Sequence, residues 1–227
     1  MKIDAIAFDL DGTLIETNDA WHRALDITLK QLGKQEGVSK THFYENHIGV
    51  DMKKVITSHI KLTEPELEKA RLQFINNFLS SIDYVQIVDN VEDVLDFVSS
   101  QTVKSAIITN TYRKVVDGVI DNLKSRNLDL TKYFSCVVTR DVVSEGKPNP
   151  EIVLYACEEL GVEPRNMFFV EDSVSGVQAG KAAGCYVVAL TSTTSGERLR
   201  TAGADRVIPN LLELKHIISE LKNLRGG

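Results

Sequence analysis

Four short stretches put reactive side chains where apolar runs end. In "FDLDGT" an apolar run that begins at Ile3 stops at Asp9 and Asp11, one residue apart, and Gly12 follows. Residues i and i+2 of an extended chain share a face, so the two carboxylates leave the run side by side, and Gly12 allows a sharp turn. In "FFVEDSVSG" a second apolar run ends at Glu171-Asp172, and Ser173 opens a run of small residues. "AIITNTYR" ends at Thr109-Asn110, whose hydroxyl, amide and turn N–H groups are suited to hold a phosphate. "EGKPNPE" sets Lys147 before a proline-rigidified turn that fixes where its cation sits. Each has an ordinary alternative: an Asp-Gly turn, two helix caps and a surface lysine. A calcium-binding loop starting at Asp9 is ruled out, because its sixth and twelfth positions, which require Gly and Glu, are Leu14 and Ala20.

The elements that must carry these residues are legible as short apolar runs at Ile3–Phe8, Ser105–Thr109, Cys136–Thr139, Met167–Val170, Tyr186–Leu190 and Arg206–Ile208. They show little alternation, as strands buried on both faces of a parallel sheet do. Helical patterns separate them. Val91, Val94, Leu95 and Val98 follow helical spacing. Asn149 as N-cap, Pro150 at the first helical position and Gly161 beyond the end delimit a second helix; Gly184 ends a third, from about Val174 to Ala183. The alternation predicts a doubly wound α/β fold. Between about Asn18 and Ser81 the pattern is helical throughout, with stripes at Trp21, Ala24, Leu25, Thr28, Leu29 and Leu32 and at Leu67, Ala70, Phe74, Asn77 and Phe78. The expected division is a core of residues 1–16 and 86–227 and an inserted all-helical unit, residues 17–85, over the carboxyl edge of the sheet, where such sheets bind ligands.

In a parallel sheet all four stretches arrive at that one edge. Four carboxylates then face one cleft, and at an effective dielectric near 20 each like-charged pair at 4 Å costs about 4 kcal/mol. They must protonate or hold a cation. An all-oxygen site with few protein ligands suits Mg²⁺, which keeps waters and takes phosphate oxygens as partners. Thr109, Asn110 and Lys147 supply donors for an anion beside it, so the combined expectation is a Mg²⁺–phosphate site.

The rest of the composition narrows the class. The 227 residues allow one large domain or a core with a smaller one; 43% are hydrophobic and 26% charged, as in ordinary soluble globular chains. A net charge of −6 without a Lys/Arg stripe argues against nucleic acid. Cys136, Cys157 and Cys185 are odd in number and widely spaced, which suits buried thiols in a reducing compartment better than disulfides or zinc. No apolar run is long enough to span a bilayer, and Asp4, Asp9 and Asp11 interrupt any signal-peptide core. The expectation is a cytoplasmic protein without membrane partners; the oligomeric state is left open, and a monomer is compatible.

With these motifs in this order, the chain resembles the haloacid dehalogenase superfamily of phosphotransferases: Asp-x-Asp-Gly-Thr at Asp9–Thr13, the Thr of Thr109-Asn110, the Lys of Gly-Lys-Pro at Lys147, and the acidic pair Glu171-Asp172. The likeness covers the whole core, and the helical insert resembles the cap of the subgroup containing β-phosphoglucomutase and phosphoglycolate phosphatase. True dehalogenases lack a carboxylate at the position of Asp11, so phosphoester chemistry is favoured. The resemblance implies Asp9 as nucleophile and Asp11 as acid and base. It implies Mg²⁺ on Asp9, the Asp11 carbonyl and Asp172, with Glu171 either a direct or an outer ligand, and Thr109, the Asn110 amide and Lys147 on the phosphoryl oxygens.

For specificity it points into the cap. His22 resembles a cap histidine that interacts with the counterpart of Asp11; the alternative is a solvated helix face. Arg71 falls where a substrate-contacting lysine is found; the alternative is an exposed helix charge. Three positions depart from the pattern: Met52 stands where a cap arginine after Gly49 is expected, leaving Lys53 beside it as the available cation; Glu16 replaces a common Asp; and Asp89-Asn90 replaces Pro-Gly. The missing arginine favours a phosphatase of a small phosphorylated metabolite, phosphoglycolate or a sugar phosphate, over a sugar-phosphate mutase. A non-enzymatic phosphoacceptor switch is the second alternative. The polar loop Thr191–Gly196 and the tail Arg225-Gly226-Gly227 are assigned no role.

Overall fold

A computed structural model describes residues 2–47, 50 and 52–223; Gly49 and the tail Arg225-Gly226-Gly227 lie outside them. The chain runs β1 (Ala5–Phe8), β2 (Ile15–Glu16), α1 (Asn18–Gln31), α2 (Lys40–Asn46), α3 (Met52–Thr57), α4 (Glu64–Leu79), β3 (Gln86–Ile87), α5 (Val91–Ser100), β4 (Lys104–Ile108) and α6 (Arg113–Ser125). It continues with β5 (Cys136–Val138), α7 (Glu151–Leu160), β6 (Met167–Glu171), α8 (Val174–Ala183), β7 (Tyr186–Leu190), α9 (Gly196–Thr201), β8 (Arg206–Ile208) and α10 (Glu213–Asn223).

Six strands form one parallel sheet in the order β5-β4-β1-β6-β7-β8. Its faces follow from the two-residue period. Ile6, Phe8, Ile107, Phe168 and Val170 pack into one apolar layer, and Ala5, Ala7, Ala106, Ile108 and Phe169 into the other. Burial on both sides is why the strands read as unbroken apolar runs. β1 lies at the centre, and the chain order reverses around it: β4 and β5 are added on one side, β6 to β8 on the other. Phe8 is level with Ile107 and with Val170. Asp9, Thr109 and the pair Glu171-Asp172 therefore emerge beside one another at the reversal, where open α/β sheets form a crevice.

Helix boundaries have local causes. Gly161 and Gly184 take left-handed conformations (φ 61° and 90°) after α7 and α8. α7 begins one residue later than expected: Pro150 is the N-cap, and the Asn149 side chain accepts a bond from the Glu151 N–H at 2.9 Å. Thr63 and Glu66 close a capping box at the start of α4.

All regular structure described between β2 and β3 is helical. α1 and α4 bury Ala20, Ala24, Leu25, Leu29, Leu67, Ala70, Phe74 and Phe78, and Trp21 stacks on Phe78 with centroids 4.0 Å apart. β2 and β3 pair antiparallel, Ile15 with Ile87 and Glu16 with Gln86. The sequence pattern does not reveal this ribbon, since two residues per strand are too few to show a period. Asn90 stands at φ 64°, a conformation Gly adopts freely and Asn tolerates. Cys157 and Cys185 are buried, Cys136 is half-buried, and all three are free thiols. No helix among the described residues is long and apolar enough to cross a membrane.

Candidate active site

The sheet edge opens into a cavity of about 480 Å³, walled by the core on one side and by α1, α2, α3 and α4 on the other. Asp9, Asp11, Thr109, Asn110, Lys147, Glu171 and Asp172 all line it. At its floor lies an ion network. Lys147 Nζ donates to Asp9 Oδ1 at 2.6 Å and to Glu171 Oε2 at 2.7 Å, and its side chain is only 3% exposed. Carboxylate oxygens of Asp9, Glu171 and Asp172 lie within 4.8 Å of one another.

Lys147, Glu171 and Asp172 are each held by further polar groups. The Asn110 side chain clasps the Lys147 main chain, donating to its carbonyl at 3.1 Å and accepting from its N–H at 2.9 Å. Glu171 Oε1 accepts from the Asp172 N–H, the Ser173 N–H and the Ser173 hydroxyl, each at 2.9 Å. Asp172 accepts from Thr13 at 3.3 Å and from the Thr193 hydroxyl. Asp11 is turned away from this cluster. Its Oδ1 accepts from Thr17 at 2.6 Å, and its Oδ2 from Thr111 at 2.8 Å and Thr109 at 3.4 Å. Two glycines make room: a Cβ on Gly12 (φ 86°) would collide with Asp172 Oδ2, and one on Gly176 would collide with Glu171 Oε2.

Three buried carboxylates lie together, and the one ammonium among them bonds only Asp9 and Glu171. Burial, and then the charge on Glu171, push Asp9 and Asp172 well above the usual aspartate range. Burial also acts to raise Glu171, but Lys147 and the N–H donors at 172 and 173 hold it below its ordinary value. Burial opposes the charge on Lys147; Asp9 and Glu171 outweigh it and raise its pKa.

The linkage sign follows. A carboxyl raised on folding keeps a proton that the unfolded chain releases above about 3.8, so its contribution to stability is full below that value and is lost as pH climbs through the raised one. Without a divalent cation, Asp172→Asn is therefore expected to melt roughly 2–4 °C above the parent at neutral pH. The gap should close toward pH 3.8, and Mg²⁺ should raise the melting temperature of the parent but not of the variant. Thermal melts in EDTA and in Mg²⁺ check this; equal responses to Mg²⁺ would exclude Asp172 from cation binding.

The residues of the helical unit expected to face the site lie elsewhere. His22 Nε2 is 2.6 Å from the Val38 carbonyl, and its ring packs edge-on to Phe43, so the imidazole is engaged inside the helical unit and does not reach Asp11. Lys53 points outward to Glu64 at 2.9 Å and Glu68 at 3.7 Å; its neighbour Lys54 and Met52 line the cavity. Arg71 pairs with Glu68, and its guanidinium lies 4.9 Å from the ring centroid of Tyr112, a cavity-lining residue of the core. It stands behind the wall.

Several contributors are not evident from the sequence. Thr17, Thr111 and Thr193 hold the acidic side chains, and Trp21, Phe43, Val55 and Phe74 form an apolar wall. The loop Thr191–Gly196 folds onto the turns at Gly12 and Asp172: Ser192 donates to the Gly12 carbonyl at 2.5 Å, and Thr193 to Asp172. For Thr111 a signal exists, since it lies in the same strand-to-helix turn as Thr109.

A family model for haloacid dehalogenase-like hydrolases matches residues 6–190, a span that includes all four acidic and donor segments. The chain belongs to that family. Its relatives include phosphatases. A phosphoglycolate phosphatase of Pseudomonas putida is 30% identical over 191 residues, which cover 82% of this chain and 68% of that protein. A phosphorylated carbohydrates phosphatase of Thermotoga maritima is 31% identical over 208 residues, covering 89% and 92%. Among solved structures, CbbY of Rhodobacter sphaeroides in complex with phosphate superposes with a TM-score of 0.81 at 26% identity, covering 93% of this hydrolase and 96% of that chain.

Proposed function

We propose that this hydrolase is a Mg²⁺-dependent phosphatase of a small phosphorylated metabolite and works through an aspartyl-phosphate on Asp9. The observation that carries the reading is the convergence of Asp9, Glu171 and Asp172 within 4.8 Å, beside Lys147 and next to Asp11. The donor set fits a hard divalent cation: the oxygens are all carboxylate, and the negative charge exceeds what Lys147 neutralises. Asp9, Asp172 and the Asp11 carbonyl would hold the ion. Glu171 has both oxygens engaged, one by Lys147 and the other by three donors, which favours an outer role that orients Asp172 and Lys147. Mg²⁺, when bound, would offset charge between the carboxylate and the incoming phosphate dianion.

The chain's own residues do the rest. An Asp9 carboxylate oxygen attacks phosphorus, and the bond from phosphorus to the ester oxygen breaks. Asp11, aimed by the Thr17, Thr109 and Thr111 hydroxyls, delivers a proton to the departing oxygen. It then takes a proton from water, which attacks phosphorus, breaks the bond to Asp9 and releases inorganic phosphate. Lys147, Thr109 and the Asn110 N–H supply positive charge and donors to the transferring oxygens.

Residues 17–85 act as a cap in this reading, and the β2–β3 ribbon is their connection to the core. Trp21, Phe43, Met52, Val55 and Phe74, with Lys54, would contact the part of the substrate beyond the phosphate. Phosphoglycolate and sugar phosphates are the first candidates, supported by the names of the relatives. The test is a panel of phosphomonoesters assayed for inorganic phosphate in Mg²⁺ and in EDTA, with isomer formation followed in parallel. Mg²⁺-dependent phosphate release is expected. Isomer formation without release would replace the phosphatase by a mutase, and a stable phosphoprotein without turnover would point to a switch.

A further inference from the structure

Three of the five histidines in the chain, His42, His47 and His59, meet in the helical unit, away from the acidic cluster. His42 lies in the first turn of α2, His47 caps the C-terminal end of that helix, and His59 follows α3. One ring nitrogen of each lies within 4.8 Å of the others. His47 Nε2 and His59 Nε2 are 2.7 Å apart, and the ring centroids of His42 lie 5.3 Å from His47 and 5.8 Å from His59. Burial grades from His47, which is buried and lines the cavity, through His59 to His42 at the surface. One side of the cluster is therefore open to an entering ion and to a water ligand.

We propose that His42, His47 and His59 form a binding site for a borderline transition-metal ion, Zn²⁺ being the best fit. Three imidazoles with an open fourth position form a common zinc ligand set, whereas Mg²⁺ and Ca²⁺ prefer oxygen. Tetrahedral Zn–N bonds of about 2.0–2.1 Å set ligand nitrogens roughly 3.3 Å apart, so the His47–His59 pair opens by about half an ångström on binding. The Lys34 ammonium donates to His59 Nδ1, so the proton of the neutral His59 ring lies on Nε2, in the bond to His47 Nε2, and has to move before an ion binds there. Burial, then Lys34, hold His59 down to about 4, and burial and His42 lower His47.

Lys34 opposes the ion. Its ammonium lies 3.3 Å from His59 Nδ1 and 3.5 Å from the His59 carbonyl. Once His59 Nε2 binds metal, Nδ1 carries the proton, and Lys34 must shift to the carbonyl. The ion would tie the end of α2 to the segment after α3, fixing the part of the cap that presents His47 to the cavity.

The test is a Zn²⁺ titration of the full chain against a chromophoric chelator, in excess Mg²⁺ so that the carboxylate site is saturated. One Zn²⁺ per chain is expected. His42→Gln and His59→Gln should each weaken binding by more than the ~10–100-fold that loss of an outer partner of a metal site costs. Lys34→Gln should tighten it severalfold. Circular dichroism establishes that the variants fold. Co²⁺ read on the unmodified chain adds a measurement that needs no variant: intense visible bands of a four-coordinate nitrogen site are expected. Zinc affinity unchanged in both histidine variants, or only the weak Co²⁺ spectrum of six oxygens, would overturn the proposal. It stands or falls independently of phosphatase activity, which the titration does not read.

Discussion

Asp9→Asn is expected to lower turnover roughly 10⁴- to 10⁶-fold, the scale on which removing a nucleophile acts, with the fold intact. The exchange is nearly isosteric. Lys147 still finds an oxygen to bond where Asp9 Oδ1 stood, and one negative charge leaves a cluster of three carboxylates around one ammonium. The melting temperature should therefore hold or rise even as the reaction stops, because an amide is a poor nucleophile toward phosphorus. Steady-state assays and thermal melts on the same preparation separate the two effects. Normal turnover in an Asp9→Asn sample shown by mass to be free of parent enzyme would refute the assignment of Asp9.

Lys147→Met is expected to cost about 3–5 kcal/mol, because it leaves buried carboxylates without their cation. At this chain length that amounts to a fall of roughly 10 °C in melting temperature. Methionine keeps most of the volume, so the loss reports charge and not packing. The cause can be isolated by repeating the exchange in a Glu171→Gln background. Glu171 Oε2 is the second partner of Lys147, at 2.7 Å, so the cost of losing the lysine should shrink there. Equal costs in both backgrounds would mean that the ion pair with Glu171 contributes nothing. Denaturant melts of the four proteins in EDTA provide the measurement.

The ends of the strands are readable because one apolar run stopping at a polar pair is an ordinary cap or turn, whereas four such stops on one parallel sheet must meet at a single edge. The limits of α8 are readable as well, since Ser173 accepts from the Gly176 N–H at its start and Gly184 turns left-handed at its end. What escapes is anything set by helix phase or by distant partners. Trp21 faces Phe74 and Phe78, and one residue later, about 100° around the helix, His22 reaches Val38 instead of Asp11. Lys53 and Lys54 divide between outside and inside in the same way. Thr17, which holds Asp11, is six residues away, but other hydroxyls that aim the acidic side chains come from farther along the chain: Thr111 is 100 residues from Asp11, and Thr193 is 21 from Asp172. Thr193 belongs to a loop whose polar composition says only that it is a loop.

Because Asp9 is to carry the phosphoryl group, the most direct measurement is to quench the enzyme in acid during turnover of its best phosphomonoester and map the added phosphate by mass spectrometry. The expected result is a single phosphorylated peptide modified on Asp9, formed in Mg²⁺, absent in EDTA and absent from Asp172→Asn. Phosphate on any other residue, or on Asp9 to the same extent without a divalent ion, would contradict a catalytic centre in which Asp9 and Asp172 act together around a cation.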